Sequence, residues 1–244
     1  MPAAIVTGSS RGIGRATALR FADDGFDIAV NCVERTDAAE RTAEEIEDRG
    51  REAVVVRADV SAFDEASRLV DRAVEAFGGV DHVVNNAGID QHLYTDDLPP
   101  EDFDRVMDVN VNGTFNVTKA ALSHLRESDA DPTPSITNVS SILAHEGAPI
   151  EVHYAASKAG VIGLTRSHAL DFAPEIRVNA VAPGDIQTEM TADRSPEDDE
   201  AQLEAIPLGR FGQPEEVADA IAYLRDAGFV TGETLNINGG EWIG

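Results

Sequence analysis

Ala3-Ala4-Ile5-Val6-Thr7-Gly8-Ser9-Ser10-Arg11-Gly12-Ile13-Gly14, next to the amino end, carries the pattern of a strand, a tight turn and a helix. Four apolar residues make a short buried strand, a glycine turn follows at once, and helical periodicity then runs over Gly12–Asp24. Glycines at such a turn let the chain bend tightly and let its backbone approach a pyrophosphate, which the positive end of the helix attracts. A glycine-rich turn alone is weak; its place between the first strand and the first helix gives it weight. Gly8, Ser10, Arg11, Gly12, Ile13 and Gly14 are therefore expected to hold a dinucleotide.

Outward from this turn, short apolar runs alternate with longer amphipathic stretches to the end of the chain. Asp27–Asn31, Ala53–Val56, His82–Val84, Ser135–Val139, Arg177–Ala180 and Thr234–Ile237 read as further buried parallel strands. Between them lie helical patterns over Asp37–Asp48, Phe63–Phe77, Asp102–Leu125, His153–Phe172 and Pro214–Asp226. Such alternation implies an α/β, Rossmann-type doubly wound parallel sheet of about seven strands, with helices on both faces. No linker, repeat or low-complexity block divides it, so residues 1–244 are expected to form a single domain. Gly88–Pro100, Ile142–Val152 and Gly184–Leu208 break the rhythm, each after the carboxyl end of a strand, where open α/β sheets bind ligands. The last is the longest, and residues 185–208 are expected to form a lid over a substrate.

Composition narrows the partners. Forty-five acidic residues oppose 19 basic ones, a formal net charge of -26. Such a surface repels phosphate backbones, which argues against nucleic acid. It resembles proteins of salt-rich cytoplasms, where screening makes like charge tolerable. Acidic runs such as Asp96-Asp97 and Glu197-Asp198-Asp199-Glu200 read as solvated surface. The single Cys32 excludes an internal disulfide and a cysteine metal cluster, and no metal is expected. No basic leader followed by a long apolar run and no stretch near 20 apolar residues is found, so a cytoplasmic protein is expected, with no membrane contact.

Four motifs then fall in order along the predicted elements. Thr7-Gly8-Ser9-Ser10-Arg11-Gly12-Ile13-Gly14 has the Thr-Gly-x-x-x-Gly-x-Gly spacing, and Asn85-Asn86-Ala87-Gly88 follows the fourth strand. Tyr154-Ala155-Ala156-Ser157-Lys158 has the form Tyr-x-x-x-Lys, and Pro183-Gly184-Asp185-Ile186-Gln187-Thr188 the form Pro-Gly-x-x-x-Thr. Together they resemble the short-chain dehydrogenase/reductase family over nearly the whole chain. The resemblance implies hydride exchange between a nicotinamide dinucleotide and a carbonyl or alcohol.

Tyr154 and Lys158 stand four apart, so both side chains share one helical face. A phenol with a pKa of ~10 holds its proton too tightly at neutral pH. A nearby ammonium and a positive nicotinamide ring would lower that value. Lysine is scarce here, with only Lys119 and Lys158, which makes an ammonium at this spacing more telling. By resemblance, Tyr154 is the acid/base, Lys158 also meets the nicotinamide ribose, and Ser141, thirteen residues before Tyr154, holds the substrate oxygen. Neighbouring Ser140 is the rival on residue type; the spacing favours Ser141. Asn110, in Asn110-Val111-Asn112-Gly113-Thr114-Phe115, resembles the family's relay asparagine, with Asn112 as its near competitor.

The other cofactor contacts implied by the resemblance are Asp59 and Val60 at the adenine, Asn86, Ala87 and Gly88 at the adenosine ribose side, and Pro183, Gly184, Ile186 and Thr188 at the nicotinamide. No carboxylate ends the second strand, which reads Asn31-Cys32-Val33, and Glu34 comes late. Arg11 and Arg35 suit a 2′-phosphate, so NADP(H) is favoured, with NAD(H) the alternative.

Length, motif layout and the ending Thr231-Gly232-Glu233-Thr234 are most similar to 3-oxoacyl thioester reductases. The acidic run Glu127-Ser128-Asp129-Ala130-Asp131, expected near the entrance, would repel an acidic carrier protein and favours a coenzyme A thioester or small carbonyl. The alternative is a sugar or polyol dehydrogenase, suggested by Asp90, His145, Glu146, Glu151 and His153, since carboxylates accept hydrogen bonds from hydroxyls. A non-catalytic dinucleotide sensor is disfavoured, because Tyr154, Lys158, Ser141 and Asn110 are all present. The resemblance also implies a homotetramer, with Ala155, Ala156, Ala159, Gly160 and Gly163 allowing close helix approach.

Overall fold

The computed structural model describes residues 1–188 and 202–244. Seven strands form the sheet: β1 (Ala3–Val6), β2 (Asp27–Cys32), β3 (Ala53–Arg57), β4 (His82–Asn85), β5 (Ser135–Val139), β6 (Arg177–Pro183) and β7 (Thr234–Ile237). Their order is β3-β2-β1-β4-β5-β6-β7, every pair parallel. β1 is central, with Ile5 opposite Ala29 on one side and Val83 on the other. The winding direction reverses between β1 and β4, which splays the loops beyond their carboxyl ends and opens a crevice there.

The helices are α1 (Gly12–Asp23), α2 (Thr36–Glu47), α3 (Phe63–Phe77), α4 (Pro100–Met107), α5 (Gly113–Glu127), α6 (Leu143–Glu146), α7 (Val152–Phe172) and α8 (Pro214–Asp226). Each face of the sheet buries its own core. On one face Phe21, Ile46, Ile221 and Leu224 pack on Val6, Val30 and Val181. On the other Leu69, Val117, Leu125 and Phe172 cover Ile5, Ala29, Ile136 and Val178. Burying a side chain of this size contributes roughly 1.5–3 kcal/mol, so the two layers hold the sheet flat against its helices. None of the helices searched among the described residues is long and apolar enough to cross a membrane.

The single-domain, doubly wound expectation is met, with three corrections. The stretch expected as one helix over Asp102–Leu125 is two helices joined by a π-turn, Asp108–Asn112. No glycine or proline falls within the turn to mark the one extra residue it contains. Second, Ile142–Val152 is not all loop, because Leu143–Glu146 closes one helical turn. Third, the acidic run Glu127–Asp131 does not flank this chain's own site entrance. It leads into the amino end of β5, and the Ser128 hydroxyl donates to Asp81, just before β4. Five strand residues at ~3.3 Å each separate it from the carboxyl ends where Ser141 lies.

Candidate active site

Asn31 anchors the glycine turn. This polar residue is buried inside β2, and its amide donates to the main-chain carbonyls of Val56 (3.2 Å) and Ala58 (3.0 Å). Its Oδ1 accepts from the Gly8 N–H at 3.1 Å, and its own N–H donates to the Ser9 hydroxyl at 3.0 Å. Thr7 performs the same service towards β4, its Oγ1 accepting from the N–H groups of Asn86 and Ala87, both at 2.9 Å. The Asn86 amide then donates to the carbonyls of Thr7 (2.9 Å) and Gly8 (3.2 Å). Sequence reasoning assigned nothing to Thr7, Ser9 or Asn31; polar residues inside or just after buried strands were the available signal.

Glycine is required at this crossing. A Cβ on Gly14 would lie 2.4 Å from Asn86 Nδ2 and 2.5 Å from the Gly8 carbonyl, and Gly8 itself has φ +63 with the Ala87 backbone 3.0 Å from a Cβ position. The turn therefore packs directly on the β4 loop, and α1 begins over the crevice without a side-chain cap. That leaves the N–H groups of its first turn for an anion.

The crevice is a cavity of about 790 Å³. Gly8, Ser10, Arg11, Ile13, Arg35, Asp59, Val60, Asn86, Ala87 and Gly88 line one half of it. Ser141, Tyr154, Lys158, Pro183, Gly184, Ile186 and Thr188 line the rest. Of the expected site residues, Gly12, Gly14 and Asn110 stand behind the wall. Size, glycine cradle and helix terminus all fit an extended dinucleotide. Of the expected lid, residues 189–201 lie outside the described residues; Asp185 and Gln202 on either side both face the cavity.

The two serines point in different directions. Ser140 turns its hydroxyl into α7, donating to the Lys158 carbonyl at 2.9 Å. Ser141 lines the cavity and pairs with the Tyr154 hydroxyl. The asparagines divide too: Asn110 is buried, whereas Asn112 is outside and pairs with Asp108 at 2.7 Å. Asn110 Oδ1 accepts from the Ile89 N–H (2.9 Å), and its amide donates to the Ile89 carbonyl (3.0 Å) and the Ser157 hydroxyl (2.9 Å).

Lys158 is buried, with its ammonium donating to the Val139 carbonyl at 2.9 Å. Burial pulls its pKa down to about 8, and Asp90 opposes that pull. Gly88 lets the β4 loop come close, since a Cβ there would lie 3.3 Å from Lys158 Nζ. The expectation for Tyr154 needs correction. Its pKa is raised rather than lowered, first by burial and then by the carboxylates of Asp90 and Glu151, with the Ser141 hydrogen bond acting the other way. Lys158 Nζ sits 5.4 Å from the ring centroid and spends a hydrogen bond on Val139, so the chain alone keeps the phenol protonated.

His92 bridges those two carboxylates, its Nε2 3.2 Å from both Asp90 Oδ2 and Glu151 Oε1. The three donor atoms lie within 4.8 Å of one another, a spacing that would also suit a cation. Of the polar residues weighed for a hydroxyl-rich substrate, Asp90 and Glu151 face the cavity. His145 instead stacks on Trp242 at 4.2 Å, and His153 is wholly buried away from it. Glu241, which sequence reasoning passed over, joins the wall and accepts from Gln202 at 2.7 Å.

A family model described as enoyl-(acyl carrier protein) reductase matches residues 8–241. The 3-oxoacyl-[acyl-carrier-protein] reductase FabG of Staphylococcus aureus is 41% identical over 244 residues, covering 98% of both chains. Glucose 1-dehydrogenase 2 of Bacillus subtilis is 43% identical over 242 residues, 97% of this chain and 93% of that one. A crystal structure from Burkholderia xenovorans, described as a short-chain dehydrogenase/reductase, superposes with a TM-score of 0.92 at 33% identity, over 100% of this chain and 99% of the other. A match running from the glycine turn past the last strand, with relatives similar along almost their full length, places the chain in the short-chain dehydrogenase/reductase family, as an oxidoreductase acting on CH–OH and C=O groups.

Proposed function

We propose that the protein reduces the ketone of a 3-oxoacyl thioester to a secondary alcohol, with NADPH as the preferred reductant. The observation that carries this reading is the full-length likeness to 3-oxoacyl reductases. A cavity where Ser141, Tyr154 and Lys158 converge supports it. When bound, the dinucleotide supplies the hydride. The chain's own groups do the rest. Ser141 donates a hydrogen bond to the ketone oxygen and stabilises the charge developing there. Tyr154 gives its Oη proton to that oxygen, and burial, helped by Asp90 and Glu151, keeps the proton in place beforehand by favouring the neutral phenol. Lys158 then stabilises the phenolate left behind, and Asn110 holds the β4 loop and α7 in register around it. The one Oδ1 lone pair of Asn110 not used by Ile89 serves the relay towards Lys158.

For the dinucleotide, the turn from Gly8 to Gly14 takes the pyrophosphate, and Asp59, Val60 and Asn86 to Gly88 take the adenosine. Pro183, Gly184, Ile186 and Thr188 take the nicotinamide. Arg11 and Arg35 take the 2′-phosphate; both line the cavity where β2 ends without a carboxylate. We place the protein in the cytoplasm as a homotetramer. Ala156, Ala159 and Gly163 of α7 are exposed for a partner helix, whereas Gly160 already packs on Val111 within the subunit.

The test is a spectrophotometric panel pairing NADPH and NADH with acetoacetyl-CoA, and NADP+ and NAD+ with glucose and simple alcohols. Faster oxidation of NADPH with acetoacetyl-CoA is expected, reduced at least tenfold towards NADH levels by Arg35→Ala. Turnover of glucose alone would replace the thioester reading with the sugar one, for which Asp90 and Glu151 in the cavity are the structural argument.

A further inference from the structure

We infer that Ser157 is a positioning residue for catalysis, its hydroxyl coupling Asn110 and the π-turn to the main chain of Tyr154. Ser157 is fully buried on the inner face of α7. Its Oγ accepts from Asn110 Nδ2 at 2.9 Å and donates to the Tyr154 carbonyl at 2.7 Å. The direction of both bonds is fixed. The Asn110 amide orientation follows from Ile89, whose N–H must meet an oxygen and whose carbonyl must meet an N–H. A side chain at 157 must therefore accept on one side and donate on the other. A hydroxyl does both, and alanine does neither.

Two further observations show that the contact is built rather than incidental. Gly160 brings α7 against the π-turn, since a Cβ there would meet Val111 Cγ2 at 3.2 Å. The π-turn itself carries Asn110 inward while Asn112 stays on the surface. A serine bonded back to its own helix at i−3 is common and purely local. Here the same oxygen also receives an amide from a segment 47 residues away. Through it, a shift of the β4 loop or the π-turn is transmitted to the backbone that carries the acid/base.

This inference rests on the positioning role given above to Asn110, and the experiment separates the two. Ser157→Ala, Ser157→Thr, Asn110→Ala and the double Ala variant are compared in NADPH-dependent reduction of acetoacetyl-CoA. Amide exchange at Ile89 is followed in parallel as a readout that needs no substrate. Ser157→Ala is expected to lower kcat roughly 10- to 100-fold with KM for NADPH within about twofold, because misplacement affects the reacting geometry more than binding. It should also speed exchange at Ile89, and Ser157→Thr should restore both. In the Asn110→Ala background, Ser157→Ala should cost less than threefold more. Full kcat and unchanged Ile89 exchange in Ser157→Ala would overturn the inference, as would independent, multiplicative losses in the double variant. Full activity in Asn110→Ala would instead overturn the role of Asn110.

Discussion

Lys158→Met separates what the site needs from what the fold prefers. The ammonium is almost fully buried with one hydrogen bond, to the Val139 carbonyl, and its pKa falls from 10.5 to about 8. At about 1.4 kcal/mol per unit, that shift corresponds to roughly 3 kcal/mol of folding free energy. Below pH 8 the lysine is protonated in both the folded and the unfolded chain, and the folded state bears the whole desolvation cost. Between pH 8 and 10.5 the unfolded chain binds a proton that the folded one has lost, so stability rises with pH. Methionine, unbranched and of similar length, carries no such cost but leaves the Val139 carbonyl unpaired, a loss of about 1–3 kcal/mol at every pH. The variant should therefore be as stable as the parent or slightly more so at pH 7, and less stable by about 1–3 kcal/mol at pH 10.5. Urea unfolding of both proteins across that range measures the difference, and groups common to both cancel. A difference that stays flat with pH, or a variant that gains on the parent as pH rises, would show that the buried ammonium carries no such cost. Turnover should be lost throughout.

Ser141→Ala should lower kcat roughly 100- to 1,000-fold with little change in stability, as expected for a lost hydrogen-bond donor at a developing charge. Ser140→Ala, whose hydroxyl only ties β5 to α7, should leave kcat within a few fold and cost about 1 kcal/mol in urea unfolding. Gly14→Ala forces a Cβ to 2.4 Å from Asn86 and 2.5 Å from Gly8. It should weaken NADPH binding at least tenfold by fluorescence titration and cost about 1–3 kcal/mol of stability through overpacking. With a net charge of -26, the thermal midpoint should climb steadily from 0.1 to 1 M KCl as the screening length shrinks from about 10 to 3 Å; a flat midpoint would remove the salt-adapted reading.

The sheet was legible because buried parallel strands leave continuous apolar runs, and all seven begin at the residues those runs predict, although the edge strands β3 and β7 are only partly buried. Tyr154, Lys158 and Ser141 were legible because a helix face and a fixed spacing bring them together. The π-turn at Asp108–Asn112 was not, since no glycine or proline falls within it to interrupt the helical pattern. The direction of the Tyr154 shift was also hidden. It comes first from burial and then from Asp90 and Glu151, which approach through two loops joined by the Leu93 N–H bonded to the Ile150 carbonyl at 2.8 Å. Local pattern records neither a like-charge pair assembled across the fold nor the burial that amplifies it. Glu127–Asp131 misled for the complementary reason: its charge was plain, but which end of the sheet it occupies is a property of topology.

If Tyr154 transfers the proton, Tyr154→Phe should stop turnover and spare cofactor binding. Removing one hydroxyl leaves the ring packing and the dinucleotide wall intact. NADPH should still bind within about threefold of the parent by fluorescence, while kcat/KM for acetoacetyl-CoA falls by roughly 10³-fold or more, at the strong end for a lost general acid. Turnover within tenfold of the parent, with NADPH binding unchanged, would contradict the account.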